Sequence, residues 1–261
     1  MNTTKPYSSA ILFALASLES YRALMARRAC PNAGSDEAPE AASGLGGRLL
    51  LVGSLTDTGR ALTVAANIAG AASLVGAEDG GKQALRDGVV DFLVNSLDEA
   101  LRILKNEIRK KLPVSVGVDA PWAAVVAEMQ ERGVLPDLLS ADLVSGDRVS
   151  GDLELDPAGS FFISQGSAPV HAAPPEAVVS WSGPATALSL LGRVALECLG
   201  PKANTTERWL RFAPRYLGRL TQGVRVVNAP HPLAEQMLLR LHQRIEADRL
   251  DAKAEILEGC I

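Results

Sequence analysis

Between residues 48 and 145 short apolar runs alternate with amphipathic segments, and each run stops at turn-forming or acidic residues. Leu49-Leu50-Leu51-Val52 leads into Gly53-Ser54-Leu55-Thr56-Asp57-Thr58-Gly59 and then a helical stretch over 61–69. Residues 73–75 form a second run, ending at Glu78-Asp79. A third, Val89-Val90-Asp91-Phe92-Leu93-Val94, passes through Asn95-Ser96 to a helix ending at Lys110. A fourth, 114–118, stops at Asp119 before a helix over 121–131, and 137–139 closes the series. Strands separated by single helices run in the same direction, so the pattern specifies an α/β fold: a parallel sheet with helices on both faces. Ligands of such sheets bind beyond the carboxyl ends of the strands, which fixes where a site is expected. One local signal is strong. Ser96-Leu97-Asp98-Glu99 has the pattern of a capping box, followed by the apolar stripe Leu97, Ala100, Leu101, Leu104, Ile108.

The chain has 261 residues, 47% of them hydrophobic, enough for one large or two small cores. A net charge of -4 gives no general affinity for nucleic acid or anionic membranes. Cys30, Cys198 and Cys260 are too scattered for a disulfide framework or a zinc spacing, which favours the reducing cytoplasm. The apolar run 10–18 soon meets Glu19, Arg22, Arg27 and Arg28; it is too short to span a bilayer and lacks the marks of a signal peptide. Ile11, Leu12, Leu15, Leu18 and Met25 fit one helical face, so a docking or dimerising helix is expected, with a homodimer as the candidate assembly.

Four segments follow: an N-terminal helix over 1–29, a linker over 30–47, the sheet domain over 48–148 and a C-terminal region over 149–261. The linker is rich in Gly, Ala, Ser, Pro and acid. The last region begins with short strands at 153–155 and 161–164 and a connector at 173–175, then becomes mostly helical. One helix over 188–199 stops at Gly200-Pro201. Another opens at Asn204-Thr205-Thr206-Glu207 and must kink or break at Pro214. The last and longest is expected over 232–257.

A family resemblance rests on Ala65-Ala66-Asn67-Ile68-Ala69-Gly70-Ala71, Gly88-Val89-Val90-Asp91, Asn95-Ser96-Leu97-Asp98-Glu99-Ala100, Pro113-Val114-Ser115-Val116-Gly117 and Gly133-Val134-Leu135-Pro136-Asp137. In this order and spacing, over roughly residues 47–147, they resemble the central dinucleotide-binding domain of urocanase (urocanate hydratase). The resemblance implies a Rossmann-like domain holding NAD, which in that family acts as an electrophile toward the imidazole of urocanate so that water can add. Several family motifs are altered. The glycine-rich Gly-Leu-Gly-Gly-Met-(Gly/Ser)-Gly-Ala-Gln-Pro loop is replaced by Ser54-Leu55-Thr56-Asp57-Thr58-Gly59-Arg60-Ala61-Leu62-Thr63, which puts the Asp57 carboxylate where a pyrophosphate would lie, with Arg60 placed to offset it. The Ala-Glu-Val-Asp after the second strand becomes Gly76-Ala77-Glu78-Asp79. The Asp-Gln-Thr-Ser-Ala-His-Asp-Pro signature becomes Ala141-Asp142-Leu143-Val144-Ser145-Gly146-Asp147-Arg148, and the segment with the reactive cysteine has no counterpart.

The expected function is therefore that of a urocanase-like protein binding NAD, another nucleotide or a small anion, without most of the groups urocanate hydration needs. The alternatives are an active lyase of histidine degradation and a non-catalytic interaction protein. Candidate cofactor-binding residues are Gly53, Ser54, Thr56, Asp57, Thr58, Gly59, Glu78, Asp79, Gly117 and Asp142; no catalytic residue and no metal ligand is assigned. Thr56, Asp57 and Thr58 serve equally as helix caps. Gly44-Leu45-Gly46-Gly47 precedes its strand, where a phosphate loop must follow one, and reads as linker. Arg208, Arg211, Arg215 and Arg219 share a helical face that reads as solvated, with an anion clamp or an acidic partner surface as the alternatives. His171, His231 and His242 match no metal motif, and Cys198 reads as a buried small hydrophobe.

Overall fold

The computed structural model describes residues 7–28, 44–140, 161–163, 176–200 and 204–257. The chain divides into two compact units, 19–167 and 1–18 with 168–261. Helix α1 (Ser9–Arg28) crosses that division. Its buried face is Ala14, Ser17, Leu18, Tyr21, Leu24 and Met25, while Leu12 is exposed. The face expected from the large apolar residues is thus rotated, because small side chains occupy much of the buried stripe.

The first unit holds β1 (Leu49–Ser54), α2 (Asp57–Ala69), β2 (Ala72–Gly76), α3 (Gly81–Asp87), β3 (Phe92–Val94), α4 (Leu97–Arg109), β4 (Val114–Val118), α5 (Trp122–Glu131), β5 (Leu138–Ser140) and β6 (Phe161–Ile163). Its six strands are all parallel in the order β3-β4-β2-β1-β5-β6. This is the Rossmann-like α/β arrangement read from the strand–helix alternation. Alternate side chains of β1, β2 and β4 (Leu49, Leu51, Leu74, Val114, Val116, Val118) pack with Leu97, Leu101 and Leu104 of α4 and Val125 and Met129 of α5. The other face meets α2, which is buried along nearly its whole length, as its run of alanines and aliphatics allows.

The amino ends of the strands share a device that the sequence did not announce. Asp91 donates its amide to the Ser115 carbonyl (2.9 Å), and its carboxylate accepts from the Ser115 amide (2.8 Å). Asp137 does the same to Leu49, at 2.9 and 2.8 Å, and also holds the Arg48 guanidinium at 3.0 Å. Each carboxylate satisfies an amide at the start of a neighbouring strand, the first of β1 and the second of β4. This use of Asp91 explains why β3 is shorter than the run 89–94: Val89 instead closes α3, its amide on the Ala84 carbonyl after left-handed Gly88. The helix after β1 starts at Asp57, four residues before the expected 61, because Thr56 caps it. At α4, Ser96 accepts from the Glu99 amide (3.4 Å), while Glu99 reaches the Asn95 amide (3.2 Å), one residue before the usual target of a capping box. Residues 44–47, read as linker, form a turn with Leu45 buried and its amide on the Ala69 carbonyl at 2.7 Å.

The second unit contains β7 (Glu176–Ser182), α6 (Ala185–Glu197), α7 (Asn204–Leu217), β8 (Val224–Pro230), α8 (His231–Ala247) and β9 (Lys253–Leu257). Its helices were expected; its antiparallel sheet, ordered β8-β7-β9, was not. The helix expected over 232–257 ends at Ala247, where left-handed Arg249 and a Leu250 amide bonded to the Ile245 carbonyl turn the chain into β9. The α7 helix runs through Pro214 and stops at Leu217, close behind the proline as its missing N–H requires. The proposed strand at 153–155 and connector at 173–175 lie outside the described residues.

Candidate functional site

Strand β1 is built to release the chain abruptly. Its pairing with β2 slips between Leu51 and Gly53, leaving Val52 as an extra residue, and Gly53 takes a φ of 98° that favours glycine. Such a bulge re-aims the end of a strand. Two residues after Ser54, Thr56 caps α2 by accepting from the Gly59 amide at 3.1 Å. Gly59 is then clamped: the Thr63 hydroxyl donates to its carbonyl at 2.7 Å, and a Cβ on it would collide with the Ser54 carbonyl oxygen. Only glycine lets the helix start this close to the end of the strand.

Position adds to this geometry. From β1 the chain crosses to β2 on one side, whereas β5, the other neighbour of β1, is followed by β6 on the opposite side. Connections diverging from adjacent parallel strands open a crevice at their carboxyl ends, and ligands of doubly wound sheets bind there. The first turn of α2 faces that crevice with amides that have no acceptor inside the helix, those of Asp57 and Thr58 being the ones left by the Thr56 cap.

Most of the proposed residues gather along this edge. Gly53, Ser54, Thr56, Asp57, Thr58 and Gly59 lie on the β1–α2 turn, and Glu78 and Asp79 follow β2, exposed before left-handed Gly80. Asp119 follows β4, its amide bonded to the Val94 carbonyl at 2.8 Å. Gly117 lies apart from the loops. It sits inside β4, where a Cβ would press on Ala77 and Leu93, so its job in the fold is packing. Asp142 lies outside the described residues. Arg60 is not placed to offset Asp57: its guanidinium pairs with Asp87 at the end of α3, at 2.6 Å. One feature of the edge was missed by sequence reasoning, because it needs the third dimension: the Trp122 indole lies flat against Gly76, the last residue of β2, in space that any side chain there would fill.

Residues 32–161 match the family model of the urocanase Rossmann-like domain. The chain carries a urocanase Rossmann-like domain. Among the described residues the urocanase-like edge carries the exposed acids Asp57, Glu78, Asp79 and Asp119, and the Arg60 guanidinium is committed to Asp87. It therefore differs from a phosphate-binding turn made of glycines alone.

Other candidates sit away from this edge. A shallow groove of about 770 Å³, lined by Asp91, Phe92, Arg102, Asn106, Glu107 and Val114, lies at the amino ends of β3 and β4. On α7, Arg211 pairs with Glu207 (2.7 Å), Arg208 lies over Phe212 (4.8 Å) and Arg215 over Tyr216 (5.3 Å), so these arginines have partners within their own helix. His231 approaches Glu235 at 3.4 Å and His242 the Ala254 carbonyl at 2.8 Å. Cys198 is half-buried at the end of α6, not in its core; its thiol donates to the Val194 carbonyl at 3.2 Å, and burial pushes its pKa up. His171, Cys30 and Cys260 lie outside the described residues.

Proposed function

We propose that the urocanase-like unit binds NAD or a related nucleotide at the carboxyl edge of β1 and does not hydrate urocanate. The observation that carries this reading is Gly59, which brings the start of α2 against the end of β1 beside the divergence of β1 and β5. A pyrophosphate there would meet the Asp57 and Thr58 amides and the positive end of the helix. Glu78 and Asp79, beyond β2, are the acceptors for ribose hydroxyls. The acidic rim disfavours a small inorganic anion, but it suits a ligand that brings hydroxyls and a cationic nicotinamide ring. When bound, NAD would supply an electrophilic ring; the chain's own contribution at this edge is to bind and orient.

Asp57 is the element that weakens such binding. In Asp57→Gly, NAD should bind more tightly by about 1 kcal/mol, roughly a fivefold lower Kd. Calorimetric titration of both proteins measures this, and equal affinities would remove the phosphates from this turn. Urocanate mixed with the NAD-loaded protein should keep its ultraviolet absorbance. Turnover on the order of 1 per second, ordinary for an enzyme, would show that the altered motifs are dispensable. We place the protein in the cytoplasm. Helix α1 is long and apolar enough, by length and composition, to cross a membrane, but burial of Ala14, Leu18, Tyr21 and Leu24 within the protein supports an aqueous setting.

A further inference from the structure

The second unit encloses a cavity of about 20 Å³ bordered by Trp181, Leu188, Gly192, Trp209, Pro214 and Arg225. That volume admits one water-sized group. Two residues that border it carry hydrogen-bond donors with capacity to spare, Trp181 and Arg225. Trp181 is 1% exposed, and its indole Nε1 has no acceptor among the described residues. Directly across the β7–β8 pair stands Arg225, half-buried, whose Nη1 donates to the carbonyl of its own neighbour Val224 at 2.7 Å. Among the described residues Arg225 forms no ion pair, and no residue bordering the cavity is acidic. The contrast with Trp209 is informative: it borders the same cavity, yet its Nε1 donates to the Val226 carbonyl at 2.7 Å.

We propose that this cavity is a binding site for one small monovalent anion of about chloride's size, held by the Trp181 indole N–H and the Arg225 guanidinium. Buried charges in proteins are paired, because an uncompensated one carries its desolvation cost in full. Arg225, half-buried, bears part of that cost, and its burial lowers its pKa. A water molecule would accept from the indole but leave the guanidinium charge uncompensated; an anion answers both needs. Bound there, it ties β7 and β8 to the helices that close over them, α6 and α7.

The test uses crystals of the full chain soaked in bromide, together with melting curves in chloride against gluconate at constant ionic strength. One anomalous peak in contact with Trp181 Nε1 and Arg225 is expected, with a melting temperature a few degrees higher in chloride. In Arg225→Gln, which keeps a neutral donor, the chloride dependence should vanish. A cavity filled by water alone, bromide bound only at soaking concentration with no effect of physiological chloride, or an equal chloride dependence in Arg225→Gln would each overturn the proposal.

Discussion

Gly59→Ala should lower the melting temperature of the urocanase-like unit by roughly 10 °C, corresponding to about 3 kcal/mol of overpacking. The obstacle is main chain. An added Cβ meets the Ser54 carbonyl oxygen, which cannot escape by changing rotamer, and the Thr56 hydroxyl lies next to it. Relief requires the first turn of α2 to back away from β1. That would loosen the Thr56 bond to the Gly59 amide and the Thr63 bond to the Gly59 carbonyl. Circular dichroism melts of the two proteins measure the cost, and NAD titration measures the loss of the approach. A variant melting within a degree or two of the parent would mean that the strand–helix junction yields readily, and the site would lose its geometric basis.

What the sequence made legible, and what it hid, divides along the range of the interactions. Periodicity within a few residues sufficed for the parallel sheet, since β1, β2 and β4 are short buried runs and α4 shows its stripe plainly. The β1–α2 turn was also legible, through its position after the first strand. Partners far apart in sequence were not. Arg60 was assigned to Asp57, its close neighbour in the chain, but the fold gives it Asp87, and no local pattern marks that choice. The bulge at Val52 depends on the register with β2, and the Trp122 indole reaches Gly76 only because β4 lies beside β2. The C-terminal sheet escaped for a different reason. Its strands are separated by one or two helices, and the apolar spacing of α8 runs on toward β9 without a proline or glycine between Ala247 and Lys253 to mark the end. In α1 the buried stripe is built partly from Ala14, Ser17 and Ser20, which carry little hydrophobic signal.

Ser115→Ala tests the polar link that joins α2 and the α3–β3 connection to β4, and it should cost about 3 kcal/mol. The Ser115 side chain is fully buried. Its hydroxyl accepts from Asn67 Nδ2 of α2 and from the Asp91 amide, both at 3.0 Å, and its proton lies toward the Asp91 carboxylate (2.9 Å) or the Val89 carbonyl (3.1 Å). Removing it strands the Asn67 amide, whose Oδ1 already has no partner among the described residues, and takes one donor from a carboxylate. A buried group left without its partner costs about 1–3 kcal/mol, and a hydrogen bond to a charged group is worth about 1.5–3. Asn67→Leu alone should also destabilise, but adding it to Ser115→Ala removes the stranded amide. The double variant should therefore lose less than the sum of the singles, by about 1–2 kcal/mol in a denaturation cycle. Strict additivity would show that the Asn67–Ser115 bond contributes nothing. Ser115 also lies near the amino end of β4, away from the β1–α2 turn, so folded Ser115→Ala should keep the NAD affinity of the parent. A large loss of affinity in that variant would mean that the ligand sits at the other end of the strands.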